Sequence, residues 1–193
     1  MPILRLAEGE LRDEIRQPLY DTVTVDAAES PIAVRQFFSN IQGKTRAQTN
    51  LKTNGQLETA VSYRCEGLSL DAQNIYFANV QALPLILENS SLRFRVGEKD
   101  YWEGNMVYLA GRVRNEVSTF DANSAKQHFG LEAVQGVILK GQHVIDINPL
   151  QTFFLEWNCQ GMTAAEITAS TPAANTRLKF IASMKGLLRR PVQ

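Results

Sequence analysis

The sequence predicts an all-β fold, a sandwich of antiparallel strands closed around one core. Two observations carry this. Apolar residues recur with period two in segment after segment, as in strands that bury one face. About nine or ten such segments, separated by glycine, proline and asparagine, stand against one segment of helical period, which favours a sandwich over a layered α/β fold. With 193 residues, 44% hydrophobic and 21% charged, the chain is long enough to bury one substantial core and ordinary enough in composition to fold through most of its length.

Taken in order, residues 1–18 are expected to form an N-terminal arm ahead of a single domain at 19–193. Leu11 and Ile15 lie four apart among charges, so an amphipathic helix is one reading of the arm. Leu19–Asp26, LYDTVTVD, is the first strand, with Tyr20, Thr22 and Thr24 on one face and Asp21, Val23 and Val25 on the other. After the turn signal Ser30-Pro31, residues 33–39 carry Val34, Phe37 and Phe38 and predict a second strand. Residues 40–56 are polar, with Gly43, Asn50, Asn54 and Gly55, and predict a long surface excursion. Alternation returns at 57–70, where Val61, Tyr63, Cys65, Gly67 and Ser69 share a face. The glycine marks a bulge or bend, giving one bent strand or two. At 71–83, Ile75, Tyr76, Asn79 and Val80 follow helical spacing between a capping Asp71 and a stop at Pro84, predicting one short helix. Ser90–Val96 alternates most cleanly, with Leu92, Phe94 and Val96 inward and Ser91, Arg93 and Arg95 outward, before a turn at Gly97-Glu98. Further strands are expected at 101–110, 131–139, 143–147, 152–158 and 177–188. They are set apart by Gly141, Pro149 and the small-residue run 161–175, while 115–130 reads as a loop or a short helix.

Lysine plus arginine equals aspartate plus glutamate at 20 each, so no net field draws the chain onto nucleic acid or an anionic bilayer. The start lacks the uninterrupted apolar run of about 7 to 15 residues found in a signal peptide, and no stretch approaches the ~18 apolar residues of a spanning helix. Signals for chemistry are sparse. His128 and His143 are the two histidines, without the HxH or HExxH spacing that sets two metal ligands on one face. Neither a GxSxG elbow nor a GxxxxGK[ST] phosphate loop occurs. Cys65 and Cys159 lie in apolar runs and are expected as buried free thiols. Glu98, Asp100 and Glu103 cluster as acid–base or calcium-binding groups would, but turns are commonly acidic and no EF-hand loop pattern follows, so an ordinary acidic turn is the favoured reading. No catalytic, cofactor-binding or metal-binding residue is assigned, and the chain is not expected to be an enzyme. Tyr101 and Trp102, and later Phe153, Phe154 and Trp157, offer rings on which a sugar or base could stack, and they could equally be core. Phe153, Leu155 and Trp157 alternate with Phe154 and Glu156 and read as core. Arg189 and Arg190, beside Pro191, either clamp a neighbour's carboxylates or solvate the end of the last strand.

Three stretches, in this order, carry a resemblance: LRFRVGEKDYWEGNMVYLAG at 92–111, VILKGQHVIDINPLQTFFLEWN at 137–158 and TRLKFIASMKGLLRRPVQ at 176–193. Together they resemble the small jelly-roll major coat proteins of tailless icosahedral viruses and phages, including the single jelly-roll type that stands upright on an internal membrane. The similarity spans about 60 of the 193 residues. DINPL at 146–150 departs from the plain turn of that pattern, and the first fifty residues do not align. The resemblance implies an eight-stranded jelly roll with one short helix and long loops. It implies a major capsid protein of the virion, self-assembling through trimers or pseudo-hexameric capsomers, with no cofactor. Other virion proteins and an underlying membrane are the further partners it implies, with no specific nucleic acid. Tyr101, Trp102, Arg189 and Arg190 are then the candidate subunit contacts. The alternative is a carbohydrate-binding or attachment module of the phage tail, spike or cell-surface type. It would use Tyr101 and Trp102 as a platform on the same architecture.

Overall fold

The structure, a computed structural model, describes residues 3–5, 11–26, 34–74, 86–110, 137–139, 143–159 and 177–191. His128, the segment 115–130, the run 161–175, most of the strand expected at 131–139 and the helix expected at 71–83 beyond residue 74 lie outside the described residues.

Among the described residues, eleven strands and one short helix follow in chain order. They are β1 (Ile3–Arg5), β2 (Leu11–Arg16), β3 (Leu19–Asp26), β4 (Arg35–Phe37), β5 (Ser62–Asn74), β6 (Ser90–Val96), β7 (Lys99–Asn105), α1 (Val107–Ala110), β8 (Val137–Ile138), β9 (Ile145–Ile147), β10 (Phe153–Cys159) and β11 (Arg177–Pro191). They form two antiparallel sheets, one of seven strands and one of four in the order β4-β10-β6-β7. The all-β sandwich expected from the period-two pattern is present, with eleven strands among the described residues where the resemblance implied eight. The surplus arises because β1 and β2 extend the larger sheet and because two short strands, β8 and β9, share the edge of β5.

The 15-residue β11 is the spine of the larger sheet. Along one side it pairs with β3 and then β2; along the other it pairs with β5. The pairings are nested in sequence: β3 with β11, β4 with β10, β5 with β9, and β6 with β7. The chain is thus doubled back on itself about the Gly97-Glu98 turn, and successive pairs fall alternately in the larger and the smaller sheet. Gly97 has φ +60 at the first of the two turn positions, a conformation a two-residue hairpin requires and glycine adopts without a Cβ penalty.

Several local expectations are corrected. Leu11–Arg16 is a strand, not part of a helical arm: β11 offers an edge that satisfies its backbone groups, whereas so short an isolated helix would gain little. The second strand shrinks to Arg35–Phe37. Both Phe37 and Phe38 are fully buried, which simple alternation forbids, because Phe38 takes φ +69 and redirects the chain. Asp71 does not cap a helix; residues 71–74 continue β5 and pair with β11. Within β5 the register slips where Lys185 faces Gly67 and Gly186 faces Cys65, leaving Glu66 as an extra residue. The inward face therefore passes from Tyr63 and Cys65 to Leu68 and Leu70 rather than to Gly67 and Ser69. The strand expected over 101–110 ends at Asn105 and gives way to α1.

The core fills the space between the sheets. Leu19, Val23, Val25, Phe180, Ala182 and Met184 meet Leu92, Phe94, Val96, Phe153, Leu155 and Trp157 there. The Trp157 ring bridges the layers, 4.7 Å from Phe180 and 6.5 Å from Phe37 between centroids.

Candidate functional site

The outer face of the smaller sheet is built by the residues that alternate with its core. Register sets Gln36, Glu156, Arg93 and Glu103 in one row across the four strands, and Phe154, Arg95 and Asp100 in the next. Arg93 donates to Glu156, which also accepts from Gln36 Nε2 at 3.4 Å. Arg95 grips both oxygens of Asp100 from Nε and Nη2, at 2.6 and 2.9 Å, and its guanidinium lies 6.0 Å from the Phe154 ring centre. The hydrogen bond from Arg95 holds the Asp100 carboxyl below its ordinary range. The benefit is present above the ordinary carboxyl pKa and fades as pH falls through the lowered value. On a solvent-accessible pair, screening keeps it small. Asp100, one of the three clustered acids, is thus engaged by Arg95, with Arg93 4.0 Å away.

Tyr101 and Trp102 are separated by a second bulge. Phe94 faces Trp102 and Arg95 faces Asp100, so Tyr101 is the extra residue on β7. Tyr101 is exposed, with Lys99 Nζ 4.9 Å from its ring centre. Trp102 packs against the core, and its ring leaves no room for a Cβ at Gly104. The two rings are divided between solvent and core rather than laid side by side. Arg189 and Arg190 do clasp carboxylates, those of their own chain. Arg189 Nε is 2.9 Å from Glu14 Oε1 and its Nη1 is 4.0 Å from Asp146, while Arg190 Nε is 3.8 Å from Asp13 Oδ2.

Sequence reasoning passed over Asp21, although an acid on the apolar face of a strand is a legible signal. Asp21 is fully buried; both its oxygens receive Lys44 Nζ, at 2.8 and 2.7 Å, and Oδ2 accepts the Phe38 amide at 2.7 Å. Around this latch the predicted excursion at 40–56 is stitched to β3. Asn50 Oδ1 accepts the Tyr20 amide at 2.9 Å, and the Tyr20 hydroxyl donates to the Arg46 carbonyl at 2.6 Å. Between β3 and β4 lies an open cleft of about 450 Å³ whose walls include Thr22, Thr24, Val34, Gln36, Lys44 and Gln48.

Exposed apolar side chains mark other parts of the surface: Val34, Val107 and Tyr108 on the flanks, and Leu150 in the turn between β9 and β10. That turn closes through the Gln151 amide to the Asn148 carbonyl at 3.2 Å and places Leu150 at φ +60, where glycine is normally found. Leu150→Gly is therefore expected to stabilise the fold by about 1 kcal/mol, relief of left-handed strain exceeding the added chain entropy. Urea denaturation decides this; a destabilised variant would mean that Leu150 makes contacts that outweigh its strain.

The thiols are unsuited to nucleophilic work. Burial pushes Cys65 from 9.0 up to about 12, and burial also raises Cys159, which is half-buried; both are free. The native fold keeps the Cys65 proton while an unfolded chain releases it above pH 9, so stability is full below pH 9 and lost as pH rises towards 12. The expected loss from this group is about 1 kcal/mol between pH 9 and 10, measured by urea titration at each pH, and Cys65→Ala should remove that share. His143 is exposed just ahead of β9. Among the described residues, no group of three or more His, Cys, Asp and Glu is placed to hold a metal ion, and no helix is long and apolar enough to cross a membrane. Comparison with protein-family models, with curated proteins and with solved structures yields no match.

Proposed function

We propose that the protein is a structural subunit of a viral shell, a jelly-roll capsid protein that assembles with copies of itself into trimeric or pseudo-hexameric capsomers of an icosahedral particle. The nested pairing carries this reading. A hairpin folded about the Gly97-Glu98 turn, its strand pairs falling by turns in the larger and smaller sheets, is the winding a jelly roll requires. Counting β8 with β9 and setting the β1–β2 hairpin aside reduces the strands to the eight of that winding. The even balance of 20 basic and 20 acidic residues suits a shell that does not wrap its genome through a basic arm. A carbohydrate-binding module is the weaker reading, because Tyr101 and Trp102 do not form one platform.

Sedimentation of the purified native protein, with negative-stain imaging of the fastest material, tests the proposal. Particles or discrete capsomers are the expected result. A monodisperse 21.6 kDa monomer at high concentration would overturn it.

A further inference from the structure

The strand β2 lies in the larger sheet between β1 and β11. No side chain described before Leu19 belongs to the core cluster. Its backbone partners are β1 on one side and residues 187–191 of β11 on the other. Charge reinforces the second pairing: Glu14 meets Arg189 at 2.9 Å and Asp13 meets Arg190 at 3.8 Å, while Arg16 reaches Glu66 on β5 at 3.3 Å. The chain then breaks at Gln17-Pro18, where proline has no amide hydrogen to continue the ladder. The break itself is fastened by residues outside β2: the Gln17 amide donates to the Gly186 carbonyl at 3.3 Å, and Asn50 Nδ2 donates to the Pro18 carbonyl at 2.7 Å. The domain from Leu19 onward thus keeps its anchorage whether or not β2 is docked.

We propose that the β1–β2 hairpin is an exchangeable arm, which in the assembly leaves its own β11 and pairs with residues 187–191 of β11 in a second copy. Each copy carries both halves of the recognition, acids on β2 and arginines on β11. An exchanged arm therefore remakes every backbone bond and ion pair of the closed form, and local concentration decides between them. An arm that left without replacement would expose an unpaired strand edge, so each copy that lends an arm receives one. The inference rests on the shell reading, since exchange needs copies held close together.

The test uses two full-length chains, one carrying Ile15→Cys and the other Leu188→Cys, both with Cys159→Ser. Ile15 and Leu188 are direct cross-strand partners, at a separation a disulfide can bridge. Mixed and oxidised, they should give a disulfide-linked dimer of the two different chains. While exchange is the minority state, its fraction should rise about tenfold for a tenfold rise in concentration. Absence of that mixed dimer at concentrations where particles form would overturn the proposal and leave the shell reading standing; mixed dimer without particles would do the reverse. A second pair guards against cysteine artefacts. A chain with Asp13→Arg and Glu14→Arg and a chain with Arg189→Glu and Arg190→Glu should each fail to exchange arms alone and should sediment as larger species when mixed. A mixture that sediments as the sum of its parts would count against exchange.

Discussion

Gly186→Ala is expected to abolish the native fold or to destabilise it by more than about 4 kcal/mol. A Cβ at this position would lie 1.9 Å from the backbone oxygen of Arg64 and 2.9 Å from its carbonyl carbon. Neither can rotate aside, because both belong to the strand that pairs with β11 at the register slip opposite Cys65. The comparison is Gly97→Ala, whose Cβ would meet only the end of the Gln151 side chain, at 3.3 Å, and whose cost is that of a left-handed alanine, about 1 kcal/mol. Soluble yield and urea midpoints of the two variants measure the contrast. A Gly186→Ala protein within about 1 kcal/mol of the parent would show that the slip can relax its register.

The second large effect lies at Asp21. Asp21→Ala leaves the Lys44 ammonium, mostly withdrawn from solvent, and the Phe38 amide without their acceptor, a loss of about 3–5 kcal/mol. Because most of that penalty is an orphaned charge rather than a lost attraction, Asp21→Ala with Lys44→Met should recover part of it. Thermal or urea unfolding of the single and double variants gives the coupling. A double variant no better than Asp21→Ala alone would locate the damage at the Phe38 amide instead.

How far the sequence disclosed the fold depends on whether local pattern or distant partners decide each element. The bounds of β3 and β6 were legible because one buried face imposes period two along their whole length. The phase of β5 was not, since the slip at Glu66 is set by Gly186, a residue more than a hundred positions away. Asp71 has the chemistry of a cap, and the long edge of β11 overrides that preference. Consecutive burial of Phe37 and Phe38 depends on a positive φ held by the Asp21 carboxylate, which no spacing rule announces. For Arg189 and Arg190 the sequence leaves open whether they clamp a neighbour's carboxylates or solvate the strand end; within the chain they meet Glu14 and Asp13, a pairing that depends on where β2 docks. Tyr101 and Trp102 stand open in the sequence between a stacking platform and core, and a bulge divides them, Tyr101 to solvent and Trp102 against the core.

The place of β11 in the chain bears on how the protein is made. A ribosome delivers β3 and β5 long before residues 177–191 emerge, yet those two strands are joined in the sheet through β11 lying between them. Until that late strand arrives, the larger sheet has flanks and no middle, and the apolar residues of β3 and β5 lack the Phe180 and Met184 row they will pack beside. Closure of this sheet therefore waits for β11, with most of its pairings between distant parts of the chain, and is slow by the measure of such topologies. The nascent protein spends that interval with bare strand edges, the condition in which a chaperone is most useful and premature contact between chains most damaging.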